Sequence, residues 1–168
     1  MSNYDESYLS FARRTKRNLD FIQQASGDPK LQVFEVTQLV NSLLGLLLFP
    51  RSHTWGYLRS YKLDQLDPQD WPNLTNQSTV HDKLLVDNLE QVLQEMRNAV
   101  AHNDLKFISG RNDEIECIVF RNINSKNRIK LYEEWVLELT LRDLRLLLDS
   151  LLSEYERIAE GKMKINGI

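Results

Sequence analysis

Arg97, Asn98 and His102 are the residues of this chain whose types and spacing suit chemistry best. A permanent cation, an amide and an imidazole fall within about two helical turns. Asn98 and His102 are four apart, so they share one face of a helix, and Arg97 neighbours both with the longest reach. The apolar positions of the same stretch, Leu85, Leu89, Val92, Met96 and Val100, form a different stripe. The polar trio therefore faces away from the core, near the end of an element, where a substrate or partner can reach it. An arginine holds phosphate oxygens in a fork, and a histidine takes or gives a proton near neutral pH. The trio reads as a site for phosphate chemistry. The competing reading is structural: His102 caps a helix C-terminus, where a cation is favoured, and Arg97 is a solvated surface residue.

The elements that must position the trio follow from the pattern of the rest. The chain has 168 residues, which suits one domain with a sizeable core. Ser2-Asn3-Tyr4-Asp5 has capping-box spacing, and Tyr8, Ala12, Thr15, Leu19 and Ile22 predict a helix to about Gln24, closed by Ser26-Gly27-Asp28-Pro29. A second, mostly apolar helix is expected from about Leu31 to Phe49, stopping at Pro50. It should be the central, most buried helix. Gly45 inside it costs helix stability, which a close helix crossing would explain. Gln38 and Asn41 lie one turn apart on it, and if buried they must be bonded or line a site. Residues 50–78 look irregular but carry Trp55 and Trp71, which suggest a packed loop, with a short helix around Tyr57, Leu58 and Tyr61.

Thr79-Val80-His81-Asp82 is a second capping-box pattern, so the third helix is expected from there to about Ala101. Beyond His102 the period changes to alternation. Lys106–Ile108, Glu114–Asn122 and Arg128–Leu137 read as short strands joined by turns at 109–113 and 124–127, an antiparallel hairpin or meander over about 106–138 inserted before the last helix. Thr140-Leu141-Arg142-Asp143 caps that helix. Its leucine seam runs through Leu141, Leu144, Leu148, Leu151, Tyr155 and Ile158, and Gly161 is the expected C-cap. The fold class is mainly α, a bundle of four to five helices in a single domain over 1–168, without repeats or low-complexity tracts.

Composition narrows function further. The net charge is −3, which argues against coating nucleic acid by charge alone but not against handling a short stretch at a local site. Arg13-Arg14-Thr15-Lys16-Arg17 is the densest basic run, either a solvated helix face or an electrostatic guide for RNA. The longest apolar run, 43–49, is too short to span a bilayer, and the polar, acidic start is not a secretory signal. The single cysteine, Cys117, fits a reducing cytosol and, in an alternating apolar strand, a buried structural thiol. His53, His81 and His102 are dispersed, and no zinc-ligand spacing occurs. Asn103, Asp104 and Lys106 follow the trio, and their default roles are capping or surface solvation.

Arg97-Asn98-x-x-x-His102 resembles the R-N-x-x-x-H signature of HEPN domains, helical nucleotide-binding domains of prokaryotes and eukaryotes. The stretches 11–19 and 35–46 resemble the opening helices of a bacterial, often plasmid-borne HEPN subgroup, and the β insertion before a final helix fits it as well. The resemblance covers nearly the whole chain. It implies a metal-independent endoribonuclease without cofactor, with Arg97, Asn98 and His102 as catalytic residues. Such a protein attacks the scissile phosphate with the RNA's own 2′-hydroxyl and leaves DNA intact. The resemblance also implies a cytoplasmic homodimer whose two motifs share one composite cleft, a toxin or antiphage-defence role, and a cognate antitoxin protein as partner. The alternative it leaves open is a non-catalytic nucleotide- or protein-binding module. A third reading, a helical dimerisation domain, would use the leucine seam, although such a seam is usually core.

Overall fold

The most apolar helix lies where its composition puts it, at the centre of the bundle. In a computed structural model, which describes residues 3–26, 28, 30–31, 35–48, 56–75, 77, 79–80, 83–84, 86–110, 115–122 and 134–165, α1 is Asn3–Ser26, α2 Glu35–Leu48, α3 Leu89–Ala101 and α4 Leu141–Ile165. Helix α2 packs on each of the other three. Leu43, Leu46 and Leu47 are within 1% of complete burial. Removing that much apolar surface from water is the main stabilising term. Gly45 is where α1 comes closest: a Cβ there would stand 3.0 Å from the Phe11 ring. The expected close crossing is therefore present.

The basic run of α1 is divided between two environments. Arg13 pairs with Glu156 at 3.3 Å and Lys16 with Asp149 at 3.5 Å, both on α4, while Arg14 and Arg17 are exposed. These pairs are half in solvent and add little stability, but they show that part of the run serves to orient α1 on α4. The expected leucine seam of α4 is largely core: Leu144, Leu148 and Leu151 are fully buried and Tyr155 nearly so, while Leu141 and Ile158 are partly buried against them.

Strands β3 (Leu105–Ser109), β4 (Ile115–Asn122) and β5 (Trp135–Thr140) form an antiparallel meander in the order β3-β4-β5. The third strand runs three residues past the expected Leu137, while the expected turn at 124–127 and the start of that strand at 128–133 lie outside the described residues. Leu105 pairs with Phe120 and Asn122 with Trp135. Alternation governs β5, where Trp135, Leu137 and Leu139 are buried and Glu138 is exposed. Thr140 then begins α4 with a reciprocal capping box. Its hydroxyl accepts from the Asp143 N–H at 3.1 Å, and the Asp143 carboxylate accepts from the Thr140 N–H at 3.2 Å.

Two sequence expectations are corrected. The third helix does not begin at Thr79. Thr79–Val80 (β1) and Lys83–Leu84 (β2) pair antiparallel instead, and α3 starts ten residues later. The reason lies at 87–89. Leu63 N–H donates to the Asp87 carbonyl and Leu89 N–H to the Tyr61 carbonyl, both at 3.0 Å, so this backbone is committed to the preceding loop. Asn88 then caps the helix: its side chain accepts from Gln91 N–H at 3.1 Å, and Gln91 reaches back to Asp87 N–H at 3.2 Å. The cap is related to the expected box but not identical to it, because the return bond goes to the residue before the cap and not to the cap itself. His81, Asp82 and Leu85 lie outside the described residues.

Gly161 is not a C-cap either, because α4 continues to Ile165. It is exposed, and a Cβ on it would meet nothing within 4 Å. Gly161→Ala is expected to stabilise the protein by about 0.5–1 kcal/mol through helix propensity, read as a shift in the urea midpoint at unchanged slope.

The irregular region is packed, as its tryptophans suggest. The short 3₁₀ turns Gly56–Ser60 and Leu63–Gln65 bury Leu58 and Leu63. Trp71 is buried against Tyr61, with ring centroids 6.3 Å apart, while Trp55 lies outside the described residues. Trp135, fully buried, donates its indole N–H to Gln77 Oε1 at 2.6 Å, and Gln77 donates to the Leu74 carbonyl at 2.5 Å. The loop thus supplies the polar partner that a buried indole requires.

Candidate active site

The end of α3 carries the trio, and three sets of contacts fix that end. The first is a Schellman motif. Asn103 N–H donates to the Val100 carbonyl at 3.1 Å and Asp104 N–H to the Ala99 carbonyl at 2.8 Å, the two bonds that close such a helix end. Asn103 stands at φ 54 in the left-handed region, which asparagine tolerates better than any branched residue. The second is the sheet: the Asp104 carbonyl accepts from Arg121 N–H at 3.1 Å, and β3 begins at the next residue. The third is a buried pair about two turns back. Asn122 Nδ2 donates to Glu95 Oε2 at 2.5 Å, with Glu95 4% and Asn122 3% exposed.

His102 is therefore the C-cap of α3, its backbone N–H bonded to the Asn98 carbonyl at 3.0 Å and its side chain exposed. The capping reading and the chemical reading are compatible. The backbone of His102 completes the helix, and the imidazole is left over for other use. Arg97 and Asn98 are half-buried. Asn98 Oδ1 accepts from Gln94 Nε2 at 2.9 Å, which orients its amide.

At about 100° per residue, Asn98 and His102 lie within about 40° of each other around the helix, and Arg97 lies about 140° from His102. The trio shares the end of the helix without sharing one face. Asn98 lines a groove of about 410 Å³ with Arg59, Asn88, Glu90, Gln91, Gln94 and Glu95. Arg97 and His102 lie outside that lining. Asn103→Val, which forces a branched side chain into the left-handed region, is expected to cost about 1–2 kcal/mol. Asn103→Gly should hold the wild-type midpoint. Thermal denaturation of the two variants checks this.

The weaker candidates have structural roles or none near the trio. Gln38 donates to Ser42 along its own helix at 3.4 Å, and Asn41 is exposed. Lys106 is exposed on β3. Asp104 holds the turn, and its charge helps keep the Arg121 guanidinium protonated, after the larger effect of the Glu134 carboxylate. Cys117 is buried, and desolvation, with Glu138 beside it, pushes its thiol pKa up. It remains a thiol at neutral pH and a poor nucleophile.

Gln91, Gln94 and Glu95 join Asn98 in the groove and were not singled out from the sequence. Their spacing of i, i+3, i+4 and i+7 was the available signal. Arg59 comes from a 3₁₀ turn and had none. A larger cavity of about 610 Å³ lies at Tyr57, Tyr61, Lys62 and Arg157, but Lys62 is paired with Asp87 and Arg157 with Glu154, each at 2.8 Å. Among the described residues, no group of three or more His, Cys, Asp and Glu side chains is arranged to hold a metal ion. No helix among them is long and apolar enough to cross a membrane.

A family model described as HEPN pEK499 p136 matches residues 1–162. No curated protein and no solved structure matches the chain.

Proposed function

Because the chain belongs to the HEPN pEK499 p136 family, we propose that it is a metal-independent endoribonuclease acting as a homodimer through Arg97, Asn98 and His102. The observation that carries this reading is the end of α3: an exposed imidazole, with a guanidinium on another side of the same turns, on a helix terminus locked by a Schellman motif and the sheet. Rigid support of this kind is what a catalytic group needs and what a merely solvated surface does not.

In the proposed reaction the 2′-hydroxyl attacks the adjacent phosphorus. The 2′-O–P bond forms, the P–O5′ bond breaks, one proton leaves the 2′-oxygen, and one arrives on the departing 5′-oxygen. Products are a 2′,3′-cyclic phosphate and a 5′-hydroxyl. His102 moves protons as general acid or base, and Arg97 holds the phosphate oxygens as negative charge accumulates on them. The end of α3 carries one imidazole, with its arginine turned to another side of the helix. A two-fold dimer bringing two helix ends together supplies a second imidazole and a guanidinium from across the interface. A toxin or antiphage role in the cytoplasm, opposed by a cognate antitoxin, accords with the family.

The test is incubation of the purified protein with RNA and a matched DNA in EDTA, followed by analysis of product ends. Cleavage of RNA alone to cyclic-phosphate ends, lost in His102→Ala, is the expected result. Intact RNA together with tight nucleotide binding would replace the nuclease by a binding module.

A further inference from the structure

The groove beside Asn98 has a composition that selects its occupant. Its charged members are Glu90, Glu95 and Arg59. Arg59 is committed to Glu90 through both carboxylate oxygens, at 2.6 and 3.2 Å. Two carboxyl groups against one paired guanidinium repel a phosphate. The rest of the wall is amide. Gln91 uses its oxygen on Asp87 N–H, which leaves its NH₂ as a donor. Gln94 gives an N–H to Asn98 Oδ1, which leaves the Gln94 oxygen as an acceptor and the Asn98 NH₂ as a donor. The bonded Gln94–Asn98 pair sets an acceptor beside a donor, which suits the edge of a neutral, planar heterocycle, the group that glutamine and asparagine amides read in nucleic acids. Gln91, about 10 Å along the helix from Asn98, adds a donor to one side of it. The volume of about 410 Å³ is within the range of small-molecule pockets.

From this we infer that the groove binds one unpaired nucleobase of a single-stranded RNA, read by Gln94 and Asn98 and flanked by Gln91, next to the bond that is cut. The inference rests on the nuclease reading for the position of the scissile phosphate, and on the groove alone for base binding. It divides the work on a nucleotide. The base enters the uncharged amide wall, and the phosphate goes to Arg97, outside it. Asn98, the middle member of the trio, then acts as the hinge between the two, with Gln94 as the residue that positions its amide.

Two variants test it. Gln94→Met removes the acceptor and the bond that orients Asn98 while keeping a good helix former. Gln91→Glu keeps the acceptor for Asp87 N–H, and hence the cap, but removes the donors. Cleavage sites of each protein are mapped on an RNA of randomised sequence. Binding of short homopolymeric RNAs is measured in the His102→Ala background, where no cutting interferes. Base preference beside the cut, and the matching preference in binding, should fall roughly tenfold in each variant, the size of losing hydrogen bonds to a base edge, with the thermal midpoint held. An unchanged cleavage pattern and unchanged binding order in both variants would overturn the inference and leave the nuclease standing, as would a wild type that cuts without base preference. A wild type that cuts nothing, yet binds RNA with a base preference that Gln94→Met erases, would establish the groove and retire the nuclease.

Discussion

His102→Ala is expected to slow metal-free RNA cleavage by about 10²–10⁴-fold, the usual contribution of a general acid or base, and Arg97→Ala by about 10²–10³-fold through lost charge stabilisation. The imidazole is exposed and the structural bond at this position is made by the backbone N–H, so alanine keeps the helix cap. Circular dichroism and thermal midpoint of His102→Ala should match wild type, which makes its rate a report on chemistry. Arg97 is half-buried and in contact with its surroundings, so Arg97→Lys belongs beside it. Lysine keeps the charge but not the fork, and an intermediate rate is expected. The proposed composite cleft adds a further expected result. Mixing inactive Arg97→Ala with inactive His102→Ala yields heterodimers in which each subunit lends what the other lacks, so part of the activity should return. Full activity in Arg97→Ala would remove the phosphate role, and a His102→Ala protein as fast as wild type would remove the site.

The apolar residues announced the frame of this site well. The central α2, the core seam of α4, the Thr140–Asp143 cap and the alternation of β5 all arise from burial periodicity and local hydrogen bonding, and these are properties of neighbouring residues. Strand β4 departs from the expected alternation, with Cys117 to Phe120 buried in succession. The Gly45 crossing was equally accessible, since glycine inside an apolar helix carries a cost that only a close partner explains. The start of α3 was misjudged because it is decided elsewhere. Thr79 and Asp82 have cap spacing, yet the backbone at 87–89 bonds to residues 61 and 63, a pairing across a loop whose path no local pattern encodes. The role of Asn103 was concealed for a related reason. An asparagine after a helix reads as a generic turn residue until its left-handed φ is seen. The division of Arg97, Asn98 and His102 around the helix follows from their spacing alone, since five residues at about 100° each set Arg97 about 140° from His102; which residues share a groove with Asn98 does not.

The buried pair Glu95–Asn122 makes the stability of the fold and the geometry of the site one question. Glu95 is on the helix face that carries Asn98, and Asn122 ends the central strand. Asn122→Leu takes away the amide that meets Glu95 at 2.5 Å and sets hydrocarbon against a carboxyl group that is 4% exposed. A cost of about 3 kcal/mol is expected, because removing one partner of a buried charged hydrogen bond exacts the desolvation penalty of the other. Adding Glu95→Met to Asn122→Leu should return part of that loss, since two apolar side chains of similar size replace the pair that meets at 2.5 Å, while the other contacts of Glu95 and Asn122 are lost with them. Urea denaturation of wild type, both single variants and the double variant gives the coupling energy directly. Additive single effects would show the bond to be incidental. Strong coupling has a second consequence for catalysis. The repaired double variant regains stability but has exchanged a directional bond for a slippery contact between α3 and β4. Its RNA cleavage should therefore stay below wild type even where the protein is fully folded, because the helix end that carries His102 is no longer held in register with the strand that ends at Asn122.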